Sequence, residues 1–265
     1  MQAVVALPSL PILPLEIEET ILDFLAEDDN DHLALKVCSL VCQAFLPICR
    51  KHIFGSITLN DYKIPSPTTI HALGLLLSRR PEIAYYIRKL DYAIEIAHFA
   101  TSPSIQESLK QISRLESLTV RHQYRTRIDW SNNPLRPALL HLLHLPTLTH
   151  FKVAGIKNFI ISDLIPCTNL KYLNIGHNTT CASEMNFPAA LPDHPIQPNE
   201  FVMETGTSAA ITKLCAARRP DGQPVIDFGS LSMITVEFDS PYVGEASKEL
   251  FRRCQALTNV QISCK

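Results

Sequence analysis

Glycine is scarce: eight in 265 residues. None falls into a G-x-G-x-x-G, G-x-x-x-x-G-K-[ST] or G-x-S-x-G pattern. Loops that cradle phosphate need glycine where the backbone must approach a ligand or take a positive φ. Without them the sequence offers no nucleotide-binding or hydrolase framework of those types. H-E-x-x-H is missing as well. Charge of one sign is also lacking, since 24 Lys and Arg stand against 26 Asp and Glu, a formal net charge of −2. That balance gives no electrostatic footprint for nucleic acid or a strongly anionic membrane. No run of eighteen apolar residues occurs, so no membrane-spanning helix is expected. No Lys or Arg precedes Lys36, and Pro8, Pro11 and Pro14 interrupt the apolar start. A signal peptide wants a basic start and an unbroken apolar run, so a cytoplasmic or nuclear protein is expected.

Cysteine is sparse too, with eight residues at 38, 42, 49, 167, 181, 215, 254 and 264. That is too few for a disulfide scaffold in a chain of this length, and the redox pattern C-x-x-C is absent. Three of the eight form C-x3-C-x6-C-x2-H with Cys38, Cys42, Cys49 and His52. The spacing of each pair suits zinc. The context does not, because Leu40 and Val41 lie between the first two thiols and complete an apolar helical stripe. The thiols are therefore expected to be small apolar fillers, and no metal or other cofactor is expected.

Apolar residues make up 46% of the chain, enough for a sizeable core. Residues 11–59 read as a first, helical unit. "LPLEIEETILDFLAEDD" opens with proline and acidic residues suited to a helix N-terminus. Ile17, Ile21, Phe24 and Leu25 make one stripe along it. A second helix is expected over 33–46 with Val37, Leu40, Val41, Ala44 and Phe45 as its stripe. Pro47 ends that helix or opens a short third one, and "SITLN" alternates like a strand.

Residues 60–265 have another rhythm. Short Leu-rich segments close on an apolar pair around Leu90, Leu118, Phe151, Leu173, Val236 and Val260, at intervals of 28, 33, 22, 63 and 24. Helical candidates lie between them. Three intervals fall within the range of leucine-rich repeats and a fourth is close. The long one spans a Pro-rich stretch, 178–210, read as a loop insertion. The expected fold is α/β: an irregular leucine-rich-repeat solenoid with a parallel sheet. An ordinary α/β domain with a parallel sheet would show the same short apolar runs.

Other candidates for chemistry are weaker. His141 and His144 sit i, i+3 beside a Leu-rich stripe, more in keeping with surface histidines than a metal pair. "VRHQYRTRIDW", 120–130, mixes arginine with aromatic residues as interfaces do; a solvated loop with one anchored Trp would read the same way.

The first unit resembles an F-box domain. Leu13, Pro14, Glu16 and Ile17 match the family's opening, Ile21, Leu22 and Leu25 its first stripe, and Val37, Cys38, Leu40, Val41 and Cys42 its second. Gln43 stands where the family commonly has a basic residue, and Phe45 where it has Trp. The wording "CSLVCQAFLPICRKHIF" is similar to that of F-box-like proteins of mushroom-forming basidiomycete fungi. The resemblance implies docking on the Skp1 subunit of a cullin–RING ubiquitin ligase, with the repeats holding a protein substrate and no bond chemistry performed by this chain. On this reading Leu13, Pro14, Ile17, Ile21, Leu40, Val41 and Phe45 divide between the unit's core and the Skp1-docking face. The variable strand residues Asp91, Thr119, Lys152, Asn174, Glu237 and Gln261 are the candidates for substrate contact. The alternative is a non-ligase interaction scaffold whose F-box-like unit caps the solenoid.

Overall fold

The computed structural model describes residues 14–28, 32–60, 69–94, 103–122, 128–185, 187–188, 190–238 and 241–264. The chain forms two compact units, Met1–Gly55 and Ser56–Lys265.

The first unit holds three helices: α1 (Leu15–Asp28), α2 (Leu33–Val41) and α3 (Phe45–Gly55). Glu16 and Glu18 lie in the first turn of α1, where the helix dipole favours negative charge. His32 takes a left-handed φ of 52° just before α2. Cys42 is extended at the end of α2, so the helix stops at Val41, five residues short of the expected 46. Pro47 then sits in the first turn of α3, where its missing N–H has no intrahelical partner to lose. The core is small: Leu22, Leu35, Ile48 and Cys49, with Leu25, Ala26, Cys38, Phe45 and Ile53 packed against it. His52 Nε2 meets Asp23 Oδ1 at 2.7 Å and ties α3 to α1. The stripe that packs on α1 is thus Leu22, Leu25 and Ala26, rather than Ile17, Ile21 and Phe24.

The second unit is α/β, built on a parallel eight-stranded sheet. Its strands are β1 (Ser56–Asn60), β2 (Lys89–Ala93), β3 (Ser117–Arg121), β5 (His150–Ala154), β7 (Tyr172–Ile175), β8 (Glu200–Met203), β9 (Met233–Phe238) and β10 (Asn259–Cys264). They lie side by side in chain order, all neighbours parallel. β4 (Ile128–Asp129) and β6 (Ile156–Lys157) pair as a second, two-stranded sheet. Helices α4 (Ile70–Arg79), α5 (Pro103–Leu109), α6 (Arg136–Leu143), α7 (Ser208–Ala216) and α8 (Pro241–Arg253) lie in five of the connections. β5 reaches β7 through a 3-10 turn, Ile161–Leu164.

Parallel strands need crossovers, and covering one face of each strand with crossover residues makes that face apolar. The register shows this directly. Ile57, Leu90, Leu118, Phe151, Leu173, Phe201, Ile234 and Val260 form one row across the sheet. From Leu90 to Ile234 every member is at most 2% exposed. Two residues further on, Tyr92, Val120, Val153, Ile175, Met203 and Val236 form a second buried row.

Three sequence expectations are corrected here. "SITLN" is β1, the first strand of the sheet, and not the tail of the helical unit. The 178–210 stretch is not one loop, since it contains β8 and the start of α7. "EFVM" is only four residues among prolines and lacks leucine, which hid it. In β9 the row member is Ile234, not Val236. Both are apolar and two residues apart, so they point to the same face and the alternation alone cannot choose between them.

One glycine is required by its surroundings. Gly155, between β5 and β6, has φ +69°, and a Cβ there would lie 2.2 Å from the carbonyl oxygen of His122. His122 is itself buried and its Nδ1 lies 2.8 Å from the Ile94 carbonyl oxygen.

Candidate functional site

Two surfaces stand out, one on each unit. On the first unit, α1 turns Ile17, Ile21 and Phe24 to solvent, at i, i+4 and i+7. α2 does the same with Leu33, Val37, Leu40 and Val41, and Leu40 is 87% exposed. These helices are apolar on more than one stripe, and among the described side chains only Leu22 and Leu35 of the larger ones are buried. A soluble domain rarely exposes contiguous apolar residues of this size without a partner for them.

The expected docking residues are sorted by this geometry. Pro14, Ile17, Ile21, Leu40 and Val41 are exposed. Phe45 packs against the core and belongs to the fold. Leu13 lies outside the described residues. Phe24, Leu33 and Val37 join the exposed set. Phe24 and Val37 were visible as stripe residues; Leu33 was not, although it sits one turn before Val37.

The Cys38, Cys42, Cys49 and His52 pattern does not converge on a metal site. Cys42 is exposed at the end of α2, Cys49 is buried in the core, and His52 bonds Asp23. Elsewhere burial raises the thiol pKa of Cys167, helped by the Asp163 carboxylate, and pushes Cys181 up to about 12 and Cys215 up to about 11. Thiols held that high carry little thiolate near neutral pH.

On the second unit the face opposite the apolar rows is polar. Five of the six candidate strand residues fall on one row: Asp91, Thr119, Lys152, Asn174 and Gln261, with Thr58, Val202 and Thr235 completing it. Glu237 is the exception. It pairs with Ser263 on the next row, because Thr235 occupies the place assigned to it. Val202 was missed along with its strand.

The charges on these rows largely satisfy one another. Arg121 Nε donates to Asp91 Oδ1 at 2.8 Å. Lys152 Nζ donates to Glu204 Oε1 at 2.6 Å. Asn174, 3% exposed, donates through Nδ2 to the Tyr172 hydroxyl and to Glu204. His177 donates its backbone N–H to Glu204 Oε2 at 3.0 Å, with its ring at 3.2 Å. Burial alone would raise the Glu204 carboxyl. The Lys152 ammonium and the His177 N–H outweigh it and hold the group down at about 2.

A depressed carboxyl stabilises the fold above its ordinary value, here 4.5, and that contribution is lost as pH falls through about 2. Glu204→Gln should therefore flatten the acid limb of the stability curve between those limits. Urea midpoints measured every half unit of pH give the comparison. Parallel curves for the two proteins would refute the account.

The 120–130 segment has a structural role at both described ends. Arg121 meets Asp91, and Trp130, 1% exposed, donates Nε1–H to Asp163 Oδ2 at 2.7 Å. Tyr124, Arg125 and Arg127 lie outside the described residues. Arg136 also reaches Asp163, donating Nη2–H to its two oxygens at 2.8 and 2.9 Å. His144 Nε2 lies 2.8 Å from the Asp163 backbone carbonyl oxygen, and His141 is exposed.

Among the described residues no three His, Cys, Asp or Glu are placed to hold a metal, and no helix is long and apolar enough to cross a membrane. No protein-family model matches the sequence, and no curated protein matches it either.

Proposed function

We propose that this chain is a non-catalytic substrate adaptor of a Skp1–cullin–F-box ubiquitin ligase, at work in the cytoplasm or nucleus. The first unit is an F-box-like module that docks on a Skp1-like partner. The second is an irregular leucine-rich-repeat solenoid that holds a protein substrate on its polar sheet face. The observation that carries the reading is the pair of exposed apolar stripes on α1 and α2, which include Ile17, Ile21, Leu40 and Val41 from the F-box-like motif. An amphipathic helix of the partner laid on those stripes would bury what this unit's small core leaves open. The repeat reading is supported by strands that succeed one another in chain order, each placing an apolar residue on the same buried row.

The adaptor would work by proximity. Holding a substrate near a charged ubiquitin-conjugating enzyme raises the effective concentration of its lysines without any bond chemistry here. The test is co-elution. Full-length chain mixed with a purified fungal Skp1 should leave a gel-filtration column as one complex at micromolar concentration. A folded chain that elutes apart from Skp1 would overturn the ligase reading and favour the scaffold whose F-box-like unit is only a cap.

A further inference from the structure

The parallel sheet ends differently at its two edges. At one, β1 has Leu59 2% exposed and Ile57 half-buried. At the other, β10 has Asn259, Val260, Gln261, Ile262 and Ser263 all exposed, Val260 at 45% and Ile262 at 60%. Yet Val260 and Ile262 continue the two apolar rows, beside the fully buried Ile234 and Val236 of β9. Both rows therefore stop open at β10.

The backbone of that edge is open too. The Asn259 N–H donates to the Ser232 carbonyl oxygen at 3.0 Å, which starts the ladder to β9. In a parallel ladder alternate residues turn their N–H and C=O to the same neighbour. Those of Val260 and Ile262 thus point away from β9, where no described strand lies. Such a row of outward donors and acceptors is a template for another strand. The usual guards of an edge are missing, since no charged residue and no proline stands between Arg253 and Lys265.

The pattern of β10 selects the strand that fits. A charged strand would find no opposite charge on it. A second β10 matches it throughout. Laid antiparallel about a two-fold axis at Gln261, it sets Val260 opposite Ile262 and Asn259 opposite Ser263. Apolar then meets apolar on the face of the buried rows, and polar meets polar on the other. The same register brings the outward N–H and C=O of Val260 to those of Ile262 in the second copy, a doubly bonded pair on each side of the axis. Gln261 meets its own copy at the non-hydrogen-bonded position between them, where side chains come closest. β1 is the poorer occupant. Its Leu59 is already covered, and a head-to-tail contact between β10 and β1 would propagate, whereas the two-fold closes.

We propose that β10 is a dimerisation edge, where a second copy of this chain adds its own β10 antiparallel and joins two eight-stranded sheets into one. The inference stands apart from the adaptor reading. The two-fold runs through the sheet, so both polar faces end on the same side, and Gln261 serves the dimer rather than a substrate.

Sedimentation velocity tests it. The chain should sediment as a dimer at about 100 μM, in the range of a small interface. Ile262→Pro removes an outward N–H and no bond to β9, and Ile262→Lys places a charge on the edge. Both should be monomeric with melting curves like that of the unaltered chain. Gln261→Cys, combined with Cys42→Ser and Cys264→Ser, should form a disulfide-linked dimer under mild oxidation, because the paired Cα atoms would lie about 4.5 Å apart. Thr235→Cys in the same background should not, since three strand spacings, ~14 Å, would part it from its copy. An unaltered chain that stays monomeric would leave the edge to a strand of another protein and overturn the second-copy assignment. A dimer that survives Ile262→Pro, or one lost in Leu40→Glu instead, would place the contact elsewhere and overturn it as well. Crosslinking at Thr235→Cys but not at Gln261→Cys would overturn the register and the two-fold with it.

Discussion

Asp163→Ala is expected to lower the stability of the second unit by about 3 kcal/mol, toward the lower end of the cost of breaking a buried ion pair. The side chain is 8% exposed and serves two groups at once: the Trp130 indole N–H and the Arg136 guanidinium, which makes a two-point contact. Removing it leaves an indole N–H without its acceptor in a site that is 1% exposed. Arg136 is 24% exposed and can turn partly to water, which keeps the cost below that of a fully enclosed cation. The Trp130 ring also lies 5.3 Å from the Phe159 ring, so loosening it disturbs aromatic packing against β5. Asp163→Asn should cost less than half as much, since an amide oxygen still accepts from Trp130 while the charge opposite Arg136 is lost. Urea unfolding followed by Trp130 fluorescence measures both, because Trp130 is the single Trp of the chain. A loss under about 1 kcal/mol for the alanine variant would show that the Asp163 contacts do not hold the fold.

Much of this sheet was legible in the sequence because its period is simple. Leu90, Leu118, Phe151 and Leu173 each follow a Leu-rich segment, and the structure places all four on one row. Reading failed where the local signal was short or symmetric. Phe201 sits in a four-residue strand between prolines and turns, with no leucine beside it. Ile234 and Val236 are both apolar on one face, so the register shifted by two and carried Glu237 with it, one row away from its assigned neighbours.

The polar side was harder. Asp91, Thr119, Lys152, Asn174 and Gln261 followed from position alone once the strands were aligned. Glu204 did not, because it lies just past the end of a strand the sequence hid, yet it accepts from Lys152, Asn174 and His177. Asp163 joins Trp130 across 33 residues, a pairing no spacing rule anticipates. In the helical unit, composition revealed an excess of apolar residues but not their division. Helix α1 presents Leu22 inward and Ile21 outward, neighbours in sequence whose fates depend on where α3 packs.

That division makes Leu40 the most informative position for docking. At 87% exposure it contributes little to the unit's own core, so Leu40→Glu should change stability by less than about 0.5 kcal/mol. Skp1 binding should nonetheless fall at least about a hundredfold, close to 2.7 kcal/mol, if Leu40 enters the partner's apolar surface. A buried carboxylate without a partner at the interface centre would account for a loss of that size. Leu35 is the control. It is fully buried in the small core, and Leu35→Ala should cost about 2–4 kcal/mol and weaken binding only by unfolding the unit. Circular dichroism melts and gel-filtration co-elution, run on both variants, separate the two effects. Wild-type binding by a folded Leu40→Glu protein would remove α2 from the docking face. A melt lowered as far as that of Leu35→Ala would show that Leu40 supports the fold and not a partner.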